Sequence, residues 1–435
     1  MLTLSTNCRY LDCDKTSRRN FLKVGALGYG GFSLSNLLAA RSLAAEAGQS
    51  VKSTSVVWLW LGGGPTHIET FDPKMTAPSE YRSVTGDTET NIPGVRIGGH
   101  FNEIAQVADK MAFVRSFAHN NSGHAGGTHF VMTGYDNRAI DNGGQPTRPS
   151  IGSISSKIRG ANDSLTGIPS YVRLSNILAD GPAFLGPAYG PFDSNGQARK
   201  NLTLGTKVDR FDDRRELLGN LDRFRRDTDS HGLMDGLDAF EQQAFNILQG
   251  SAADAFNIEK ESDSTRKAYG KDQLAQQMLM ARRLVEAGCG FVTINYGGWD
   301  MHGTIEKNLK RLVPALDHAV AAFVHDVASR GMTENVLLVI TGEFGRTPRI
   351  NRTGGRDHWA PLSTLALSGG SFRMGQVIGE SMPKVDVPKS KPITPRDLMA
   401  TIFQHLGLDP QAQFVNQAGR PVFVLEQGQP ISELV

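Results

Sequence analysis

The chain has 435 residues, 39% hydrophobic and 21% charged, which suits a soluble globular protein with one large α/β domain or two smaller ones. A formal net charge of +2, with no long basic run and no basic-aromatic patch, argues against a dedicated nucleic-acid binder.

The first 45 residues read as a targeting segment. Residues 17–22 (SRRNFL) carry a twin-arginine pattern, followed by a mild apolar stretch from Val24 to Leu43 and small residues at Ala44 and Ala45. This predicts a signal peptide over 1–45, a linker over 46–54, and the twin-arginine translocation machinery as a partner. The mature protein is then periplasmic or extracellular. Glycines, serines and Arg41 make the stretch a poor membrane span, so no stable span is expected after cleavage; a retained N-terminal anchor is the alternative. Cys8 and Cys13 fall in the removed segment. Cys289 is left alone, and reads as a small buried residue.

Residues 55–61 (SVVWLWL) predict a buried strand. A short helix follows at Phe101–Asp109, a strand at Met111–Val114, a helix over Gly126–Gly134, a helix at Ile151–Arg159 and a strand at Ser170–Leu174. Residues 209–287 are charged, nearly free of proline and patterned for helix. They predict a helical insertion, a lid or packing subdomain. The sheet rhythm resumes at Gly290–Asn295. A long amphipathic helix spans Ile305–Arg330, with Pro314 as a kink or break. Strands at Val336–Ile340 and Ser363–Leu367, a helix at Pro395–Leu406 and a short strand near Val422–Leu425 complete the chain. Alternating strands and helices predict a three-layer α/β/α sandwich with a mostly parallel central sheet.

Four polar motifs each follow a predicted strand: residues 62–72 (GGGPTHIETFD), 119–134, 298–302 (GWDMH) and 343–358. They hold six of the chain's 11 histidines. Carboxyl ends of parallel strands share one edge of the sheet, so these loops should converge there. Asp300 and His302 are two apart at a strand end, where side chains point the same way and can share a divalent ion. A hydrogen-bonded surface pair is the plainer alternative. With Glu343 and His358 they make a nitrogen and oxygen ligand set for one ion, with zinc, manganese and calcium undistinguished. His124 and His129, five apart, cannot both face one ion from a helix, whereas His124 and Thr128 share a face. His124 stands near a helix start, where free N–H groups suit an anion; a capping or loop-anchoring role is the alternative. Arg346 and Arg356 would grip an anion, or else brace their loop by pairing with Asp357 or main-chain carbonyls.

The order of these motifs resembles the alkaline phosphatase and sulfatase superfamily. It is most similar to an exported bacterial family catalogued there as a domain of unknown function. The residues that carry the resemblance are GGGPTHIETFDPK, HNNSGHAGGTHFVMTGY, GGWDMHG and TGEFGRTPRINRTGGRDHW, with Thr394–Leu406 and Gly419-Arg-Pro near the end. The resemblance covers nearly all of the mature chain. It implies an alkaline-phosphatase-like domain over 55–435 with the helical insertion, and Asp300, His302, Glu343 and His358 as metal ligands. His124 and Arg346 are then catalytic, with Arg356, Thr128 and Ser122 binding substrate. The pattern also departs from the superfamily. Gly63 stands where a metal-binding Asp is usual, Phe344 where a His often binds a second metal, and His124 where a Ser, Thr or Cys nucleophile is expected. One metal is therefore the expectation, with His67, Glu69 or Asp72, further along the first loop, as candidate extra ligands in place of the missing carboxylate. The function implied is an exported metal-dependent hydrolase of phosphate or sulfate esters. The alternatives are a non-catalytic binding protein on a decayed form of the fold, and a transferase or isomerase that moves a phosphoryl group.

Overall fold

Two apolar runs, each buried along its whole length, pair at the centre of a sheet, in a computed structural model that describes residues 54–163, 166–195 and 252–435. They are β1 (Ser55–Trp60) and β8 (Val336–Thr341). The strands before β8 are β2 (Asp87–Glu89), β3 (Arg96–Gly98), β4 (Met111–Val114), β5 (Tyr171–Arg173), β6 (Phe192–Asp193) and β7 (Phe291–Asn295). After it come β9 (Gly345–Arg346), β10 (His358–Trp359), β11 (Leu365–Gly369), β12 (Gln376–Ile378), β13 (Gln413–Val415) and β14 (Pro421–Phe423). Eight strands form the main sheet in the order β12-β4-β11-β8-β1-β7-β5-β6. Only β11 runs against the rest, antiparallel to both β4 and β8. The remaining six strands form three two-stranded ribbons.

The helices are α1 (His67–Thr70), α2 (His124–Thr133), α3 (Ile151–Arg159), α4 (Ala252–Ala255), α5 (Asp263–Tyr269), α6 (Gln273–Glu286), α7 (Ile305–Ser329) and α8 (Pro395–Leu406). Alternate residues of the central strands enter two different cores, as the two-residue period of a strand requires. Val57, Leu59, Leu338 and Ile340 pack with α6 and α7 on one face. Val56, Trp58, Trp60, Leu337 and Val339 pack with α2, α3 and α8 on the other. Because both faces are covered, β1 and β8 read as continuous apolar runs. The three-layer α/β/α sandwich with a mostly parallel sheet is thus the observed architecture.

Some expected elements differ in detail. The helix expected at Phe101–Asp109 is a 3-10 helix at Ile104–Lys110, its first N–H groups held by buried Asp317 at 2.7 and 2.8 Å. Pro314 does not end α7, which runs unbroken over 25 residues. The expected strand near Val422–Leu425 is the second arm of the β13–β14 hairpin. The described part of the expected insertion, 252–287, is helical; its first part, 209–251, lies outside the described residues, as do the signal peptide over 1–45 and all but Thr54 of the linker. Among the described residues, no helix is long and apolar enough to cross a membrane.

Candidate metal centre

The loops after β1, β4, β7 and β8 meet at the carboxyl edge of the sheet, as expected for a parallel topology. After β7 the chain alternates. Trp299 and Met301 enter the core, at 1% and 2% exposure, while Asp300 and His302 stay open, with side chains 46% and 49% exposed. This is the i, i+2 geometry read from the D-x-H spacing. His302 Nε2 lies 2.9 Å from Asp300 Oδ1. His358, on β10, places its Nε2 3.2 Å from the same oxygen and 3.1 Å from His302 Nε2. His124, the first residue of α2, has its Nε2 3.5 Å from Asp300 Oδ2.

The second nitrogen of each ring fixes what the first can do. His358 Nδ1 sits 2.9 Å from the Ser122 carbonyl oxygen, which only accepts, so Nδ1 carries the proton. His302 Nδ1 donates to Asp357 at 2.6 Å, and His124 Nδ1 to Glu343 Oε1 at 2.8 Å. Neutral imidazoles protonated at Nδ1 present bare lone pairs at Nε2. With Nδ1 engaged in this way, each Nε2 faces the Asp300 carboxylate and, in the neutral ring, offers a lone pair to a cation bound between them. Around a tetrahedral ion with bonds of about 2.0–2.1 Å, neighbouring ligand atoms lie roughly 3.3 Å apart. The spacings among Asp300 Oδ1, His302 Nε2 and His358 Nε2, at 2.9, 3.1 and 3.2 Å, lie just inside that value, and His124 Nε2 is 3.5 Å from the other oxygen, Asp300 Oδ2. Ring nitrogens that donate to carboxylates or a carbonyl are the usual outer support of metal-binding histidines. His124, Asp300 and His358 also form a group whose ligand atoms lie within 4.8 Å of one another. Asp300 pairs with the Arg346 guanidinium, while Glu343 and Asp357 pair with the imidazoles of His124 and His302, so three carboxylates stand around the point where a divalent cation would sit. The donor set thus fits one ion.

Arg346 is fully buried and committed. It donates to Asp300 Oδ1 at 2.6 Å, to the Gly64 carbonyl at 2.8 Å, to the Arg356 carbonyl at 3.1 Å and to the Gly63 carbonyl. Partial burial would raise the Asp300 pKa, but Arg346, with His358 and His124, holds it down at about 2. Glu343 opposes burial at His124 and raises that imidazole's pKa, while burial and then Arg346 lower that of His358. Phe344, fully buried, lies against His358 at 4.4 Å and His124 at 5.1 Å between ring centres.

The convergence expected of Asp300, His302 and His358 is present, and His124 joins them. The other candidates sit elsewhere or act differently. Glu343 stands behind His124, where Oε1 also accepts the Gly63 N–H at 2.8 Å; its Oε2 is buried without a partner among the described residues. His67 is buried and donates from Nε2 to the Val385 carbonyl at 2.9 Å, and Asp72 accepts from Ser381. These partners, and the pairing of Glu69 with Arg356, occupy all three candidate extra ligands with groups other than Asp300, His302 and His358. Arg356 is no free anion grip: it is fully buried against Glu69 at 2.8 Å. The Thr128 hydroxyl donates to the His124 carbonyl at 2.6 Å, and Ser122 Oγ accepts the Ala360 N–H at 3.1 Å. The helix start beside His124 is also taken, since Asp141 Oδ1 accepts the N–H groups of Ala125 and Gly126 at 2.9 and 3.1 Å. Asp357 was missed as the partner of His302. Its place between Arg356 and His358 was the available signal.

Residues 53–435 match the family described as "Protein of unknown function (DUF1501)". The chain belongs to that family. Comparison with curated proteins gave no match. Among solved structures, a sulfatase from Pseudoalteromonas sp. is 13% identical, over 86% of this chain and 72% of that one, with a TM-score of 0.38. A lipoteichoic acid synthase from Listeria monocytogenes is 9% identical over 88% and 77%, with a TM-score of 0.39. A phosphonate monoester hydrolase from Silicibacter pomeroyi is 11% identical over 87% and 76%, with a TM-score of 0.36. The chemistry of the centre in this family member rests on its own residues.

Proposed function

We propose that this protein is an exported hydrolase of phosphate or sulfate esters that works with one divalent ion. The observation that carries the reading is the convergence of imidazole lone pairs on Asp300 at the carboxyl edge of the sheet. Asp300, His302 and His358 would hold the ion, leaving an open side as catalytic sites with three protein ligands do. When bound, the ion supplies a Lewis acid that polarises an ester oxygen and makes water a better nucleophile near neutral pH.

The protein's own groups have separable tasks. Arg346 fixes the Asp300 carboxylate, and Asp357 fixes the tautomer and tilt of His302. His124, backed by Glu343, faces the same point from α2 and is placed to move a proton at the reacting oxygen. Phe344 fills the ground beneath both rings with carbon, which leaves no donor for a second ion there. The centre is open enough to take an ester carried on a larger molecule. One observation favours a second reading. The first residue of α2 is His124 rather than a hydroxyl residue, the Ser122 hydroxyl is occupied by the Ala360 N–H, and Arg346 and Arg356 are both sequestered, which suits a metal-dependent binding protein without turnover.

The test is elemental analysis of the folded protein, followed by hydrolysis of 4-nitrophenyl phosphate and 4-nitrophenyl sulfate. We expect about one equivalent of metal, lost in His358→Ala, and turnover lost in His124→Ala with metal retained. Undiminished metal in His358→Ala defeats the ligand assignment. Metal without hydrolysis of either ester selects the binding protein.

A further inference from the structure

We infer that the buried Glu69–Arg356 ion pair sets the ligand geometry of the centre, so that both are positioning residues. The inference rests on reading Asp300, His302 and His358 as metal ligands. Both side chains are fully buried and meet at 2.8 Å. The Arg356 guanidinium spends its donors completely. Nε and Nη2 go to Glu69, Nη2 also to the Arg82 carbonyl at 3.1 Å, and Nη1 to the carbonyls of Thr347, at 3.1 Å, and Pro348. Glu69 in turn accepts from Thr66 Oγ1 at 2.5 Å and the Val84 N–H at 3.2 Å. One pair thereby ties together the loop after β1, the chain near Arg82 and both arms around the β9–β10 ribbon.

The main chain of Arg356 carries that anchorage into the centre. Its N–H donates to the carbonyl of Met301, the residue between Asp300 and His302, at 3.0 Å. Its carbonyl accepts from Arg346 Nη1 at 3.1 Å, and Arg346 Nη2 reaches Asp300 Oδ1 at 2.6 Å. The next two residues are Asp357 and His358, which hold His302 and face the ion. His358 pairs with Arg346 across the ribbon. Moving the guanidinium therefore moves Asp357 and His358 relative to Asp300 and His302.

Stability alone is a weak reason for such a pair. Two charges taken out of water cost much of what their attraction returns, and apolar residues of similar size often hold a fold as well. What an apolar pair cannot do is grip three main-chain carbonyls from two separate chain segments, at Arg82 and at Thr347 and Pro348. This also gives the glutamate of the T-H-I-E motif a task that neither capping nor ligation explains.

The experiment uses metal ions as probes on the full folded protein. Wild type, Glu69→Leu/Arg356→Met and Arg356→Lys are titrated with Zn(II) against a chelator, and with Co(II) by visible absorption. Thermal unfolding is recorded in parallel. The double variant should melt cooperatively near the wild-type temperature yet bind Zn(II) about 10–100-fold more weakly, with altered Co(II) bands. Arg356→Lys keeps the charge but not the fork, and should show the same loss even if the double variant does not fold. Wild-type affinity and wild-type Co(II) bands in a folded variant of either kind overturn the inference. A wild-type protein that takes up neither ion instead overturns the metal reading beneath it.

Discussion

Acid should weaken the metal-free fold through His67, and the size of the effect follows from its surroundings. The ring is 3% exposed, donates from Nε2 to Val385, and has no partner for Nδ1 among the described residues. Burial outweighs the help of Val385 and Asp72, and lowers its pKa from 6.5 to about 4. The unfolded chain therefore takes up a proton at a higher pH than the folded one. This histidine's contribution is complete above about pH 6.5 and is lost as the pH falls towards 4. A displacement of about 2.5 units at about 1.36 kcal/mol each amounts to roughly 3 kcal/mol. The assay is urea unfolding at steps between pH 7 and pH 4, with a chelator present so that metal release does not enter. His67→Gln removes the titrating group. The wild type should lose about 3 kcal/mol more than the variant across this range. Parallel losses in the two proteins refute the burial argument, and would mean that His67 gains a proton partner or solvent in the fold.

Two further expectations concern the centre. Glu343→Gln keeps an oxygen for the His124 and Gly63 N–H groups but removes the charge, so metal content should persist while the His124 proton affinity falls, as followed by NMR titration; loss of the metal equivalent would return Glu343 to the ligand set. Gly63→Asp should not recruit a second ion, because its Cβ would lie 2.5 Å from the Asp300 main-chain nitrogen at a φ of +112°, with strain of order 1–3 kcal/mol. Elemental analysis should show less than the wild-type metal content, and two equivalents would contradict this account.

The long apolar runs of β1 and β8 were legible because both faces of a covered parallel sheet demand carbon at nearly every position. The ribbons β2–β3 and β9–β10 were not, since strands of two or three residues leave almost no pattern. In the centre, the two-residue spacing of Asp300 and His302 was legible, but the grouping of histidines after strands held for only half of the six: His124, His302 and His358 meet, whereas His67 bonds to Val385, His129 to Tyr135, and His119 packs against Phe130. The two arginines were harder. A guanidinium in a loop broken by glycine and proline suggests solvent and ligands, yet both are buried, because main-chain carbonyls and a carboxylate await them from chain segments far away in sequence. The split between Glu343 and His124, the carboxylate behind and the imidazole in front, depends on side-chain reach that motif order does not encode.

The four groups around Asp300 come from three regions of chain that only the finished sheet brings into register. The three proposed ligands lie within residues 298–358, but Asp300 and His302 follow β7 and His358 follows β8, strands that β1 separates in the sheet, so a molecule without β1 in place offers one aspartate and one imidazole. Ion uptake is therefore a census of completed molecules. A damaged fold should announce itself as missing metal before any chemistry is assayed.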